Sequence, residues 1–418
     1  VGSLTMDELR SVYIYKSTGS LQPTPSTYMV SLGDLGRKEI RHLPGDAGTT
    51  ESFKMAKEYL DGFDFPYGVI TGNHDLEGLD EFASDDDNII AFHDVFHTAE
   101  LHGSSTPTEP YWCKELSDDV ILLGLCTTRF REAVHSSHEV YVDDVQMKWF
   151  EDKVKENKDK KVIVFSHAPP LGSGLKILQD VHLRNGCAYI NHSGEIERAR
   201  RFVGLVKDNP QIKLWFSGHY HLSHDFEDSI SNVGSCTFVQ CGVIGGKSTR
   251  DDTRQTRVVE IFEQGGGAAE VYTINHHLNG EVRLDARCDF GTGRVERVGV
   301  KELPKDGKDL QRAYTPKEED GCYSKFEDDD IGGVVDPEDM VCWWHMDCGR
   351  VLGCHDGKLL EYDSETLAPL GIVVEELKDK EIRVVNKGKV LVVMDKGDES
   401  MESLEVVQPN ADGSYWRR

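Results

Sequence analysis

Four apolar stretches in this chain stop at residue types that bind metal ions. In order they are Leu32-Gly33-Asp34, Val69-Ile-Thr-Gly-Asn73-His74-Asp75, Phe165-Ser-His167 and Trp215-Phe-Ser-Gly218-His219-Tyr-His221. One such ending is common by chance, whereas four in succession form a constellation. Carboxylate and amide oxygens combined with imidazoles suit a hard or borderline cation, and a cation site of this kind suits phosphate hydrolysis. The asparagine is the informative member, because its carbonyl can bind a metal without adding another negative charge. That leaves His74 to face a substrate, with Asp75 beside it to hold the imidazole in its cationic form.

These residues need elements that bring them to one place. Thr27 to Asp34 reads as a strand with its acid at the tip, and Tyr67 to Thr71 as a strand that delivers Asn73 and His74. Val120 to Cys126, Lys161 to Ser166 and Ile212 to Phe216 are further buried strands. Helices are expected over Ser52 to Phe63, over Val145 to Asn157 with Trp149 and Phe150 inward, and over Ile196 to Val206; residues 3–16 carry a weakly helical spacing. Strands alternating with helices indicate a layered α/β fold, in which the loops after parallel strands collect at one edge. Asp80 to Pro110 is polar, His-rich and Pro-broken, and reads as an excursion or lid over that edge.

After Gly218 the texture changes to hairpins, at Ser235 to Val243, Arg257 to Phe262, Ala269 to Ile274 and Glu281 to Arg287. The expected organisation is a catalytic domain over 1–290, a charged linker over 291–340 and a small all-β appendage over 341–418. The charged stretch contains Pro304, Pro316 and Pro337, and the last segment returns to short strands.

Composition narrows the chemistry. With 74 acidic against 47 basic residues the net charge is −27, which disfavours binding to nucleic acid or to anionic membrane surfaces through charge. Phosphate chemistry in such a field calls for bound cations. No apolar run is long enough to span a bilayer. Ten cysteines without a compact framework read as free thiols in a reducing compartment.

Gly33-Asp34, Gly72-Asn73-His74-Asp75, Ser166-His167 and Gly218-His219-Tyr220-His221 together resemble the calcineurin-like metallophosphoesterase family, over roughly residues 27 to 290. The resemblance implies a four-layer αββα sandwich with a two-metal centre of manganese, iron or zinc. It implies that Asp34 bridges both metals, that Asn73, His167 and His219 complete one site, and that His221 belongs to the other. His74 would stabilise the transferring phosphoryl group or protonate the leaving oxygen. The substrate would be a phosphorylated small molecule or a phosphoprotein.

The family also opens with Asp-x-His, and nothing upstream of Asp34 supplies that pair; Asp180-Val-His182 lies too late in the chain. Asp34 and His221 alone are too few for tight binding of a second metal. Val1-Gly-Ser-Leu-Thr could follow directly on such a motif, so truncation and true loss both stay open. Two metals are expected if the pair is supplied, and one or none otherwise. The alternative function is a retired phosphoesterase fold serving as a scaffold subunit of a larger complex.

Ser137-His138-Glu139-Val140, Gly186 to Ser193, Cys342-Trp-Trp-His-Met and Gln408 to Trp416 resemble a plant and algal branch of the superfamily, which implies chloroplast residence. Arg129, His138 and Arg250 are candidate substrate-binding residues. An arginine offers a bidentate clamp for phosphate, although in so acidic a protein a surface ion pair is the competing reading.

Overall fold

The computed structural model describes residues 27–35, 47–63, 65–98, 101, 106–132, 139–170, 172–175, 189–192, 201–244, 253–262 and 267–301, together with strands between residues 334 and 417. The first and second motifs follow β1 (Met29–Ser31) and β2 (Tyr67–Val69), which pair in parallel. Between them runs α1 (Thr50–Asp61). It starts at a reciprocal cap in which Thr49 and Ser52 each accept the other's backbone N–H.

Asp80 to Pro110 is not simply a polar excursion, because it contains α2 (Asp85–Phe96). Ser84 caps this helix by accepting the Asp87 N–H, and acidic residues fill its first turn, where the helix dipole favours them. Ile89, Phe92 and Phe96 make its buried stripe. Ser84 before Asp85-Asp86-Asp87, followed by that spacing, was the sequence signal for it.

A six-stranded sheet follows, built from β3 (Trp112–Ser117), β4 (Val120–Gly124), β6 (Lys161–Ser166), β8 (Ile212–Ser217), β9 (Ile230–Val233) and β10 (Cys236–Gln240). The intervening short strands, β5 (Val140–Tyr141) and β7 (Ile190–Asn191), pair separately. The order across the large sheet is β3-β4-β6-β8-β10-β9. Its four inner strands are parallel, with β3 and β9 antiparallel at the edges. Inner strands covered on both faces carry near-continuous apolar runs, as Val120-Ile-Leu-Leu and Val162-Ile-Val do.

The two faces of this sheet bury different partners. Ile121, Leu123, Val162, Val164, Trp215 and Phe238 pack with Met147, Phe150 and Val154 of α3 (Asp144–Glu156) and with Phe202 and Val206 of α4 (Arg201–Asp208). On the other face Leu122, Ile163, Leu214, Phe216 and Val239 meet Ala269, Val271, Ala286 and Cys288. The latter belong to an antiparallel sheet of β11 (Gln255–Phe262), β12 (Ala268–Asn275), β13 (Glu281–Asp289) and β14 (Val295–Arg297). Val30 and Leu32 join the same core. Phe53 and Leu60 of α1 and Phe92 and Phe96 of α2 cover Tyr67 and Val69. Helices, sheet, sheets and helices form the four layers of an αββα sandwich.

β14 lies within the stretch read as a linker, and the Glu227 N–H reaches the Lys301 carbonyl, so this body continues past residue 290. Farther on, strands between Val334 and Arg417 form one five-stranded and one four-stranded antiparallel sheet. The helix expected over residues 3–16 lies outside the described residues.

Charge is buried where the second sheet meets the loop after β8. Asp285 is fully buried and accepts from Arg257, from Thr273 Oγ1 at 2.6 Å and from Arg283 Nε at 2.6 Å; Arg283 also meets Asp225 at 2.8 Å. Removing one member of such a network strands the others without water. Asp285→Ala is expected to cost about 3–5 kcal/mol of unfolding free energy in urea titrations. A loss under about 1 kcal/mol would show that Arg257 finds another partner or water.

Candidate metal centre

Strands β1, β2, β6 and β8 all end at one edge, and the four motifs follow directly. Pairing continues beyond the strands there: the Ile70 N–H reaches the Ser31 carbonyl at 3.1 Å, and the Gly218 N–H reaches the His167 carbonyl at 2.8 Å. Asp34, His167 and His219 converge so that one ligand atom from each lies within 4.8 Å of the others. His167 Nε2 is 3.1 Å from Asp34 Oδ2 and 3.0 Å from His219 Nδ1.

The orientation of His167 is fixed from behind. Its Nδ1–H donates to the Leu32 carbonyl at 2.7 Å, and since a carbonyl only accepts, Nε2 is left facing the cluster. This contact had no sequence signal, because any residue at 32 offers the same carbonyl.

Asn73 fits the same cation. Its side-chain oxygen is buried with no hydrogen-bond partner, on the turn whose next residue donates a backbone N–H to Asp34 Oδ1 at 3.0 Å. A buried carbonyl left unpaired costs about 1–3 kcal/mol, a cost that a coordinated ion removes. Two anionic or amide oxygens and two imidazoles form a donor set suited to manganese, iron or zinc.

Electrostatics favour the same reading. Burial alone would raise the Asp34 carboxyl, but the facing His167, His74 and His219 outweigh it and hold it well below the usual carboxylate range. His167 is raised despite burial because Asp34 lies against it. His219 is driven well below the usual imidazole range by burial, reinforced by His167.

Asp75 has a different role from the one its position beside His74 suggests. Its carboxylate accepts three backbone N–H groups at 2.7 Å, from Gly72, Asp34 and Leu35. Burial and the nearby Asp34 still push its pKa up to about 6. Asp75 is a positioning residue. The acid against His74 is Glu77, with 2.8 Å between its Oε1 and Nδ1. A single 3₁₀ turn over His74–Leu76 makes that i,i+3 contact, which the strand-end reading of the motif did not anticipate.

Asp34, His219 and His221 all have positive φ, at 55°, 73° and 55°. Non-glycine residues in this region mark local strain of the kind that gathers at functional sites. His221 is half-buried and lies outside the three-residue cluster, but close enough for its charge to lower the His219 pKa. Arg129 stacks over the Tyr141 ring at 4.6 Å. His138 and Arg250 lie outside the described residues.

Glycine makes the convergence possible. A Cβ on Gly72 would sit 2.3 Å from Asp34 Oδ1 and 2.7 Å from His167, and one on Gly33 (φ +90°) would sit 2.3 Å from the Gly72 nitrogen.

A calcineurin-like phosphoesterase model matches residues 17–223, and four ordered motifs within that span meet at one sheet edge. Residues 17–223 belong to the calcineurin-like metallophosphoesterase superfamily. A probable glycerophosphodiester phosphodiesterase, GpdQ, of Arcobacter nitrofigilis is 24% identical over 177 residues, covering 42% of this chain and 53% of that protein. This chain thus spans about half the length of that relative. Among solved structures, TT1561 of Thermus thermophilus aligns at a TM-score of 0.34 and 12% identity, over 71% of this chain and 94% of that one. A putative 5'-nucleotidase of Staphylococcus aureus aligns at 0.25 and 9%, over 68% and 56%. At those scores the structural likeness adds nothing to the family assignment.

The crowding around Gly72 sets up a first test of this centre. Gly72→Ala is expected to leave the chain folded but to weaken Mn²⁺ or Zn²⁺ binding at least tenfold in equilibrium dialysis, since Asp34 and His167 must both retreat; unchanged affinity would place the ion elsewhere. A second test concerns His224, just beyond the fourth motif. It is fully buried and bonded to Thr273 Oγ1 at 3.0 Å and to the Gly242 N–H, and burial, with Arg257 and Arg283 nearby, holds it well below the usual imidazole range. Below about pH 6.5 the unfolded chain takes up a proton that the native state refuses, so stability is lost as pH falls. The melting temperature should drop from pH 7.5 to 5, and more shallowly in His224→Gln; equal slopes would assign the drop to other groups.

Proposed function

We propose that this chain is a metal-dependent phosphoester hydrolase whose described residues complete one metal position, with Asp34, Asn73, His167 and His219 as its donors. The observation that carries the reading is the convergence of Asp34, His167 and His219 beside the unpartnered Asn73 oxygen. A bound ion would supply Lewis acidity toward the phosphoryl oxygens and make water a nucleophile near neutral pH.

The chain's own residues do the remaining work. The Leu32 carbonyl orients His167, and Asp75 fixes the backbone at Asp34 and Gly72. Glu77 lies 2.8 Å from the His74 imidazole, which would offer a proton or hydrogen bond to the leaving oxygen. A second ion at Asp34 and His221 needs further donors. The substrate class is a phosphorylated small molecule or a phosphoprotein, and the similarity to a phosphodiesterase adds diesters to the panel.

A second reading draws on the cluster of Asp34, His167 and His219, which His221 does not join among the described residues. In it the fold holds one ion or none and serves as a subunit of a larger complex, with the chloroplast as its proposed compartment.

Elemental analysis and hydrolysis of an aryl phosphate monoester and diester, with Mn²⁺ or Zn²⁺ added, separate the readings. The expected result is bound metal and turnover in the wild type, with both lost in Asp34→Ala and His219→Ala and turnover down at least 100-fold. Bound metal without turnover of either ester would favour the subunit reading. A wild type that retains no metal after loading would remove the metal site altogether.

A further inference from the structure

We infer that Arg129 is an anion-binding residue at the edge of the metal centre, selecting substrates through a phosphate or carboxylate oxygen. This rests on the site proposed above. Thr127 and Thr71 lie side by side where their strands end: the Thr127 N–H reaches the Thr71 carbonyl at 3.1 Å, and Thr71 Oγ1 reaches the Thr127 carbonyl at 2.6 Å. From that paired step each chain runs two residues on, at most about 7 Å, one to Asn73 and the other to Arg129, so both leave the same sheet edge.

The backbone around Arg129 is held on both sides although it belongs to no strand or helix. Before it, the Thr128 N–H reaches the Tyr141 carbonyl at 3.1 Å. After it, the buried Asp85 carboxylate accepts the N–H groups of Phe130, Arg131 and Glu132, each at 2.9 Å. Arg131 adds a second tie, donating to the Leu79 and Phe82 carbonyls at 2.8 and 2.6 Å. A loop fixed this tightly gives its side chain a defined origin, which a binding group needs.

The guanidinium itself is uncommitted. It is half-buried, it stacks on the face of Tyr141, and no carboxylate pairs with it among the described residues. Arg201, Arg257, Arg283 and Arg287 hold carboxylates, and Arg131 and Arg297 hold backbone carbonyls. Stacking occupies only the flat face of the fork and leaves its N–H edge for a planar or tetrahedral anion. The competing reading of Arg129 as a surface ion pair finds no acidic partner among the described residues.

The test is calorimetric titration of the full, Mn²⁺-loaded chain with inorganic phosphate, glycerol 3-phosphate and 3-phosphoglycerate, comparing wild type, Arg129→Met and Arg129→Lys. Arg129→Met is expected to weaken at least one of these anions about tenfold or more, and Arg129→Lys by less. Weakening of all three would place Arg129 on the phosphate; weakening of 3-phosphoglycerate alone would place it on a second anionic group. Equal affinities in wild type and Arg129→Met, with both melting at the same temperature, would overturn the assignment, as would a wild type that binds none of the three. If Arg129→Met fails to fold, Arg129→Lys decides: unchanged affinity for all three overturns it. A chain that binds these anions through Arg129 yet hydrolyses no ester would refute the hydrolase reading and leave the anion site standing.

Discussion

The metal centre depends on how closely two strand-end loops can be pressed together, and the buried Asp75 carboxylate does the pressing. Its two oxygens take up N–H groups from Gly72 on its own loop and from Asp34 and Leu35 on the loop after β1. That arrangement pulls the Asp34 backbone into a left-handed conformation and carries its side chain against His167. It works only because positions 33 and 72 have no Cβ. Backbone amides aimed at a carboxylate are strong, short bonds in a buried setting, so the geometry is set before any ion arrives.

Electrostatics follow from that packing. Despite burial, the imidazoles around Asp34 hold its carboxyl below the usual range, and burial holds His219 below the usual imidazole range. Both directions favour the forms a cation requires of its ligands. The protein as a whole carries far more acid than base, so the positive charge needed to handle a phosphate must be concentrated locally. The network of Arg257, Asp285, Arg283 and Asp225 serves a different purpose. It ties the second sheet to the loop after the fourth motif, where His224 reaches both β12 and Gly242.

Sequence reading did best where burial on two faces leaves little choice of residue. The inner strands of the six-stranded sheet were legible as apolar runs, and α3 as a periodic stripe. It did worst where polar residues carry the signal. Asp80 to Pro110 reads as an excursion because it is polar, His-rich and Pro-broken, yet the acids at the start of α2 sit in a capped first turn, where they are stabilised. The pairing of Asp75 with His74 was read from adjacency in the chain. In the fold the Asp75 carboxylate takes backbone N–H groups, and the 3₁₀ turn brings Glu77 to the imidazole.

By itself the sequence determined the chemistry on offer. The types and order of Asp34, Asn73, His167 and His219 at the ends of apolar runs define a cation site on a layered α/β fold, because strand ends in such folds share an edge. Tertiary structure decided which of the candidates meet. It brought Asp34, His167 and His219 within ligand distance, set His221 outside that group, gave Asp75 to the backbone and set Arg129 on the face of Tyr141. The reason is physical: local periodicity fixes which face a residue occupies. Which side chains touch depends on turn geometry, the space left by absent Cβ atoms, and competition among hydrogen-bond partners distant in the chain.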